Sequence, residues 1–365
     1  MRVAFFPHVP HYTIGLTSAL KTKGVDVTIV SSLDGGAEPP RPSLSLLTRL
    51  PKIPEKSKSL LIKANSLREF DVVHTQGALN SLPALISWRR DRVPFVLTEH
   101  GFPQPEVEPI GVNLALEVME FGSLRYFATQ ASGFATISHF ARSAIRHRNG
   151  VDPQVIYHGV DGAIFNQRVN GSGVRAKLAL GEDEPLILWA TRFTPIKDPL
   201  TFVMAAQRVA AAFPRARFLM IGEGPLRSSA EHAAGKLLGD GRMTFKRRVR
   251  FEDMAAHYAA CDAFVYTGFR EGFGLAVAEA MACSKPVVVC KAGSVPEIVG
   301  QDGLYFAAGD EKSLAGSLEG LLSDADHAMA MATRGGERVR KTFTWENAAE
   351  SYISLYERSI GREKR

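Results

Sequence analysis

The stretch Ala263-Phe-Val-Tyr266-Thr-Gly-Phe-Arg-Glu271-Gly-Phe-Gly274-Leu-Ala-Val-Ala-Glu279-Ala-Met-Ala282 carries the first decision about the fold. Four consecutive apolar or aromatic residues lead through a glycine-containing turn into a run of helix formers. A continuous apolar strand is covered on both faces, the mark of a parallel sheet. A turn that opens a helix presents free backbone N–H groups and the positive end of the helix dipole. Such a turn suits a phosphate or sugar hydroxyls, and Gly272 and Gly274 let the backbone approach a ligand closely.

The same alternation extends outward. Pro185–Ala190, Arg217–Ile221, Met243–Phe245 and Pro286–Val289 read as strands, and Leu200–Phe213, Asp253–Ala260 and Leu275–Cys283 as helices between them. Towards the N-terminus, Val3–Phe6, Val25–Val30, Asp71–His74 and Phe95–Thr98 read as buried strands spaced for crossovers. This first half runs to about His158, and Asp161–Gly173, with three glycines, reads as a linker. Two successive Rossmann-like halves are the expectation, with ligands in a cleft. In Trp345–Ile360, apolar residues at Trp345, Ala348, Ala349, Tyr352, Leu355 and Tyr356 keep helical spacing. Pattern alone lets this helix cross back to the first domain or cap the second.

The chain has 365 residues, enough for two domains with sizeable cores. A 45% hydrophobic and 22% charged composition excludes disordered and fibrous classes. Three cysteines without a CxxC pair argue against a disulfide scaffold or a zinc module and for a reducing compartment. No apolar run reaches membrane-spanning length, and the strand-like opening Met-Arg-Val-Ala-Phe-Phe leaves no room for a signal peptide. The expected location is therefore cytoplasmic. A net charge of +6 favours anionic partners. Arg41–Arg68 holds seven basic residues and one acid, Glu55, among leucines. It reads either as a solvated loop with a surface helix or as a basic amphipathic element that rests peripherally on an anionic membrane face.

Several residues carry candidate chemistry. Glu271 and Glu279 lie eight positions apart around the turn, about 12 Å if wholly helical. A retaining glycosidase pair needs about 5–5.5 Å, so two separate ligand-binding roles fit better than an acid/base pair. Trp189-Ala-Thr-Arg192-Phe-Thr-Pro-Ile-Lys197 leaves the end of a strand with two cations suited to straddling a pyrophosphate. His74 and His100 each end a strand of the first half and are expected at the crevice edge. Ile221-Gly222-Glu-Gly224-Pro225 ends another strand in a tight turn and is expected to line the cleft. The only short Asp-x-Asp, Asp324–Asp326, sits in a helix-like surface stretch.

Leu186–Pro199, Leu219–Arg227, Cys261–Val289 and Ala292–Val299 together resemble the donor-binding domain of the retaining glycosyltransferases of family 4. The Glu271-x7-Glu279 element and the run Glu279-Ala-Met-Ala-Cys-Ser-Lys-Pro-Val are the most specific matches. The resemblance implies an α/β GT-B fold, two Rossmann-like domains facing a central cleft. Residues 1–165 would bind acceptor, residues 174–344 the nucleotide-sugar donor, and 345–361 would form the C-terminal helix. Arg192 and Lys197 match the cations on the donor diphosphate, and Glu279 the ribose contact. Glu271 with the backbone of Gly272, Phe273 and Gly274 matches the contacts to the transferred sugar. His100 matches the histidine near the anomeric carbon.

The implied reaction moves a sugar from a UDP- or GDP-sugar to an acceptor, with a lipid-linked, polysaccharide or glycolipid precursor as the expected class. It retains anomeric configuration and uses no metal and no cofactor beyond the co-substrate. Departures from the family pattern are local. Arg247, within Lys246–Arg250, stands where a glycine is common in the loop bordering the base. His158 precedes Gly-Val-Asp where the family often has Asn. Pro7-His-Val-Pro-His11-Tyr12 replaces a Gly-Gly turn, which makes His11 and Tyr12 candidates for an acceptor loop. A nucleotide-sugar epimerase of the same fold is the alternative; it would need acid/base carboxylates reaching C2 of the sugar, and no strong candidate pair is present. Nucleic-acid binding would rest on Lys246–Arg250 and Arg146–Arg148 alone, with no interleaved aromatic platform, and nucleic acid is not expected as a partner.

Overall fold

A computed structural model describes residues 1–7, 10–30, 64–100, 122–239 and 241–363, apart from the side chains of residues 10, 11 and 79. The His11 side chain and residues 41–63 of the basic segment lie outside the described residues. The chain divides into two units, Met1–Gly159 with Trp345–Arg365, and Val160–Thr344.

In unit 1, the strands are β1 (Arg2–Phe6), β2 (Asp26–Ile29), β3 (Val72–Gln76), β4 (Phe95–Glu99), β5 (Gly133–Thr136) and β6 (Gln154–Val155). They form one parallel sheet in the order β2-β1-β3-β4-β5-β6. Helices α1 (Pro10–Thr22), α2 (Leu82–Asp91) and α3 (His139–Asn149) belong to the same unit. Side-chain alternation sorts the sheet into two cores. Val3 and Phe5 pack with Tyr12, Leu16 and Val96 on one face, while Ala4 and Phe6 pack with Val73, Phe95, Leu97 and Leu85 on the other.

The chain's last helix completes the first of these cores, contributing Trp345, Ala349, Tyr352 and Tyr356. A Cβ on Gly15 would fall 2.3 Å from the Trp345 ring, so this glycine lets α1 meet that helix closely. Polar groups are satisfied inside the same core, as burial requires. The Tyr12 hydroxyl donates to that of Tyr352 at 2.9 Å. Tyr352 and Thr98 hydroxyls lie 3.0 Å apart, and His74 bonds Thr98 at 2.8 Å and Tyr356 at 2.6 Å.

In unit 2, the strands are β7 (Leu186–Ala190), β8 (Arg217–Ile221), β9 (Met243–Lys246), β10 (Ala263–Tyr266), β11 (Val287–Cys290) and β12 (Leu304–Phe306). All pair in parallel, in the order β12-β11-β10-β7-β8-β9. The helices are α4 (Ser172–Lys177), α5 (Pro199–Ala212), α6 (Arg227–Leu238), α7 (Phe251–Ala260), α8 (Leu275–Ala282), α9 (Val295–Val299), α10 (Glu311–Ser323) and α11 (Ala325–Thr342). The C-terminal helix of unit 1 is α12 (Trp345–Glu363). Trp189, Phe202, Phe218 and Val265 anchor a core under α5 and α10. The strand order reverses direction between β7 and β10, a topological switch point where ligands settle beyond the carboxyl ends of the strands.

Three differences from the sequence reading have physical reasons. Residues 161–173 are not a free linker. Val160 bridges Thr344, Phe165 is fully buried and packs edge-on against Phe251 and Tyr258, and a Cβ on Gly171 would fall 2.2 Å from the Ala260 nitrogen. The boundary therefore falls after Gly159 rather than across 165–174. The short strands β5, β6 and β12 were not expected: β5 and β6 start with glycine or a polar residue and carry no apolar run, and β12, Leu-Tyr-Phe, is a run of only three residues. His74 is fully buried beneath α12 instead of lining a crevice. Among the described residues, no helix is long and apolar enough to cross a membrane.

The Tyr352 hydroxyl joins α1, β4 and α12 through two buried bonds. Tyr352→Phe removes it and leaves Tyr12 and Thr98 short of a partner. Urea titration of the variant should show a loss of about 1–3 kcal/mol. An unchanged midpoint would show that the network contributes no stability.

Candidate active site

The loops that follow β7 and β10 flank the switch point of unit 2, and their sequence explains how they are held. After β7, Thr191 and Phe193 N–H donate to the carbonyls of Ile221 (3.1 Å) and Glu223 (2.9 Å), so the loop pairs with the turn after β8. Gly222 sits in the left-handed region at φ 144°, and a Cβ there would lie 1.9 Å from the Thr191 carbonyl oxygen. Only glycine permits that approach. The Pro195–Lys197 3-10 turn follows, and Asp198 caps α5 by accepting from the Thr201 N–H at 3.3 Å and its hydroxyl at 2.6 Å. Arg227 ties the neighbouring strand ends together by donating to the Gly222 and Lys246 carbonyls at 2.6 and 2.8 Å.

After β10, the Thr267 hydroxyl accepts from the Trp189 indole at 2.8 Å and donates to the Lys197 carbonyl at 2.6 Å. The two loops are thus stitched to each other. Ser294, ahead of α9, donates its hydroxyl to the Glu271 and Phe273 carbonyls at 2.9 and 2.8 Å. The chain then enters α8 through Gly274 at φ 101°.

This framework brings Lys197 and Glu271 together as an ion pair, with only 6% of the lysine side chain and 23% of the glutamate side chain exposed. The Lys197 ammonium also donates to the Tyr266 hydroxyl at 2.8 Å, and Tyr266 donates to the same Glu271 oxygen. Burial would raise the Glu271 pKa. The Lys197 ammonium, the Tyr266 hydroxyl and the more distant Arg192 guanidinium outweigh it and hold the carboxyl below its usual range. Glu271 is therefore an anion at neutral pH. Arg192 projects from the same loop and is exposed.

Glu279 has a different environment. It lies on α8 and accepts a 2.9 Å bond from the buried Tyr258 hydroxyl of α7. Burial raises its pKa to about 7, against the smaller effect of the tyrosine bond. The two glutamates thus differ in partners and in charge preference.

In unit 1, His100 is half-buried at the end of β4. Its Nδ1 lies 3.1 Å from Nε2 of His158, and its ring meets Tyr12 edge-on at 4.4 Å. Tyr12 belongs to the first turn of α1 and is buried, so it supports His100 and is not part of an open loop. The His74 ring is held neutral by burial, with its pKa lowered to about 3. Phe273 turns its ring inward against Phe343 at 5.8 Å, leaving only its backbone at the turn. Arg247 is exposed and reaches Glu223 at 3.9 Å. Asp324 caps α11 by accepting from the His327 N–H at 2.9 Å.

Tyr258, Tyr266, Thr267 and Ser294 were not singled out from the sequence. Both tyrosines sit in apolar patterns that read as core, which hides the bonds their hydroxyls make to Glu279, Glu271 and Lys197.

Residues 173–338 match the family described as Glycosyl transferases group 1, and residues 9–163 match Glycosyltransferase Family 4. The chain belongs to the group 1, family 4 glycosyltransferases. A D-inositol 3-phosphate glycosyltransferase of Mycobacterium marinum is 25% identical over 393 residues, covering 96% of this chain and 81% of that protein. Sucrose-phosphate synthase from Thermosynechococcus elongatus superimposes with a TM-score of 0.78 at 21% identity, over 99% of this chain and all of that one (100%). Anabaena HepE in complex with UDP gives 0.76 at 19% identity, over 98% and 100% of the two chains. The fold of this glycosyltransferase is GT-B.

The raised Glu279 pKa of the glycosyltransferase has a consequence for stability. Its unfolded value is about 4.3, while the folded value is about 7. The folded protein therefore binds the extra proton between these values, and ionising Glu279 costs stability as pH rises through that window. Glu279→Gln removes the cost. Thermal melts should show the variant gaining on the wild type from pH 5 to pH 8. A difference independent of pH would contradict the assignment.

Proposed function

We propose that the glycosyltransferase moves a sugar from a UDP- or GDP-sugar to an acceptor with retention of anomeric configuration and without a metal. The observation that carries this reading is the Lys197–Glu271–Tyr266 cluster, set at the switch point of unit 2 beside the N-terminus of α8. Arg192, Lys197 and the α8 N-terminus supply positive charge for a leaving nucleoside diphosphate. Glu271, an anion already oriented by two donors, suits hydrogen bonds to the hydroxyls of the transferred sugar. Glu279 suits the ribose hydroxyls, and the α8 turn at Gly272, Phe273 and Gly274 offers backbone N–H groups. His100 acts at the anomeric centre.

The similar structures support this reading. HepE was captured with UDP and, separately, with UDP-glucose. The mycobacterial relatives act on an inositol phosphate, which supports a polar, anionic acceptor. Lipid-linked, polysaccharide and glycolipid precursors are the acceptor classes in this reading, and the enzyme works in the cytoplasm.

A panel of UDP- and GDP-sugars, incubated without acceptor, tests the proposal through slow release of free nucleoside diphosphate. One donor should be hydrolysed, and excess EDTA should leave that rate unchanged. With that donor, Glu271→Gln should lower kcat by roughly 100-fold, the scale of one lost electrostatic contact in a transition state. Glu279→Ala should act mainly on KM, because a ribose contact is equal in ground and transition states. No release from any donor, or unchanged kcat/KM in both variants, would overturn the site. Loss on chelation with recovery on Mg²⁺ would overturn its metal independence.

A further inference from the structure

The sequence puts His158 where the family pattern often has Asn, and the structure gives that histidine a definite place. It follows β6, whose neighbour Ile156 donates its N–H to the Thr136 carbonyl at 2.8 Å, continuing the ladder towards the sheet's carboxyl end. The residue is 5% exposed. Tyr12 of α1 packs on it at 4.6 Å and Trp345 of α12 at 6.1 Å. Its Nε2 lies 3.1 Å from Nδ1 of His100. Beside the pair, Glu99 accepts the backbone N–H of His100 at 3.1 Å.

Two imidazoles at this distance share one proton, because one nitrogen must donate and the other accept. Burial keeps His158 neutral, with its pKa lowered to about 3. A neutral, closely packed ring therefore faces Nδ1 of His100. That contact limits the rotation of His100 and couples the protonation of its other nitrogen, Nε2, to the tautomer of His158. Such partner-set tautomers are what make a histidine specific in catalysis.

We propose that His158 is the positioning residue for His100, holding its ring in one rotamer and one tautomer through the Nε2–Nδ1 bond. The inference rests on the assignment of His100 to the anomeric centre. The side chain of Gln ends where Nε2 of histidine ends and can donate or accept, whereas Leu fills similar space and can do neither. The residue is thus separable from its bulk.

Three variants, His100→Ala, His158→Leu and His158→Gln, are compared on the hydrolysed donor, with UDP binding and thermal melts measured alongside. His158→Leu should lower kcat roughly 10- to 100-fold, the scale of a misplaced catalytic group, with UDP affinity within about twofold of wild type. His158→Gln should recover most of that loss. Long-range ¹H–¹⁵N spectra of the wild type should show His100 as a single tautomer, and of His158→Leu an averaged one. Wild-type kcat in His158→Leu with His100→Ala inactive would overturn the inference and leave the His100 assignment standing. Full activity in His100→Ala would overturn that assignment itself. Should His158→Leu melt early, averaged His100 nitrogens in the wild type, or no recovery by a stable His158→Gln, would overturn the inference independently.

Discussion

The ion pair between Lys197 and Glu271 is the constraint on which the site depends. An ammonium with 6% of its side chain exposed needs a partner of opposite charge. Removing one member of such a pair costs on the order of 3–5 kcal/mol because the other is left uncompensated. The pair joins two loops separated by more than seventy positions. Tyr266 donates to the same carboxylate oxygen, so the geometry is set from three directions. Thr267 closes the arrangement by bonding the Lys197 carbonyl. What results is a charged surface oriented by the protein's own contacts, which is the form electrostatic catalysis requires.

Sheet topology explains why those two loops meet. In a parallel sheet, every strand delivers its following loop to the same edge. The order β12-β11-β10-β7-β8-β9 makes β7 and β10 neighbours although three crossovers separate them in the chain. Helices leaving the two strands go to opposite sides and open a crevice. Unit 1 has the same device between β1 and β3. Its polar interior is different, however: Tyr12, His74, Thr98, Tyr352 and Tyr356 form a hydrogen-bonded set that anchors α12. His74 belongs to that set and His100, one strand over and beyond the strand's end, does not.

Unit 2 was legible because its signals are local. Apolar runs marked β7, β8 and β10, with Ala263–Tyr266 and Arg217–Ile221 bounded as they stand in the structure. The Glu271 turn and the Lys197 loop each declare themselves by residue type. That Lys197 pairs with Glu271 was not legible, since the contact depends on strand order. Tyr258 and Tyr266 looked like core because a phenol ring satisfies an apolar pattern whatever its hydroxyl does. His74 misled for the opposite reason: a histidine at a strand end suggests a crevice, yet a helix from the far end of the chain covers it. The packing of 161–173 was hidden because glycines that permit close approach, as Gly171 does against Ala260, read as punctuation.

Hydrogen exchange on the wild-type enzyme tests the central claim, that the loops joined by Lys197 and Glu271 hold a nucleoside diphosphate. The protein is exchanged alone and with UDP, GDP and ADP in turn, and peptides from the whole chain are compared. At least one nucleotide should slow exchange in residues 191–198 and 267–276, where the two loops and the start of α8 would be covered. A nucleotide that binds while both segments exchange as in the free protein would contradict the account.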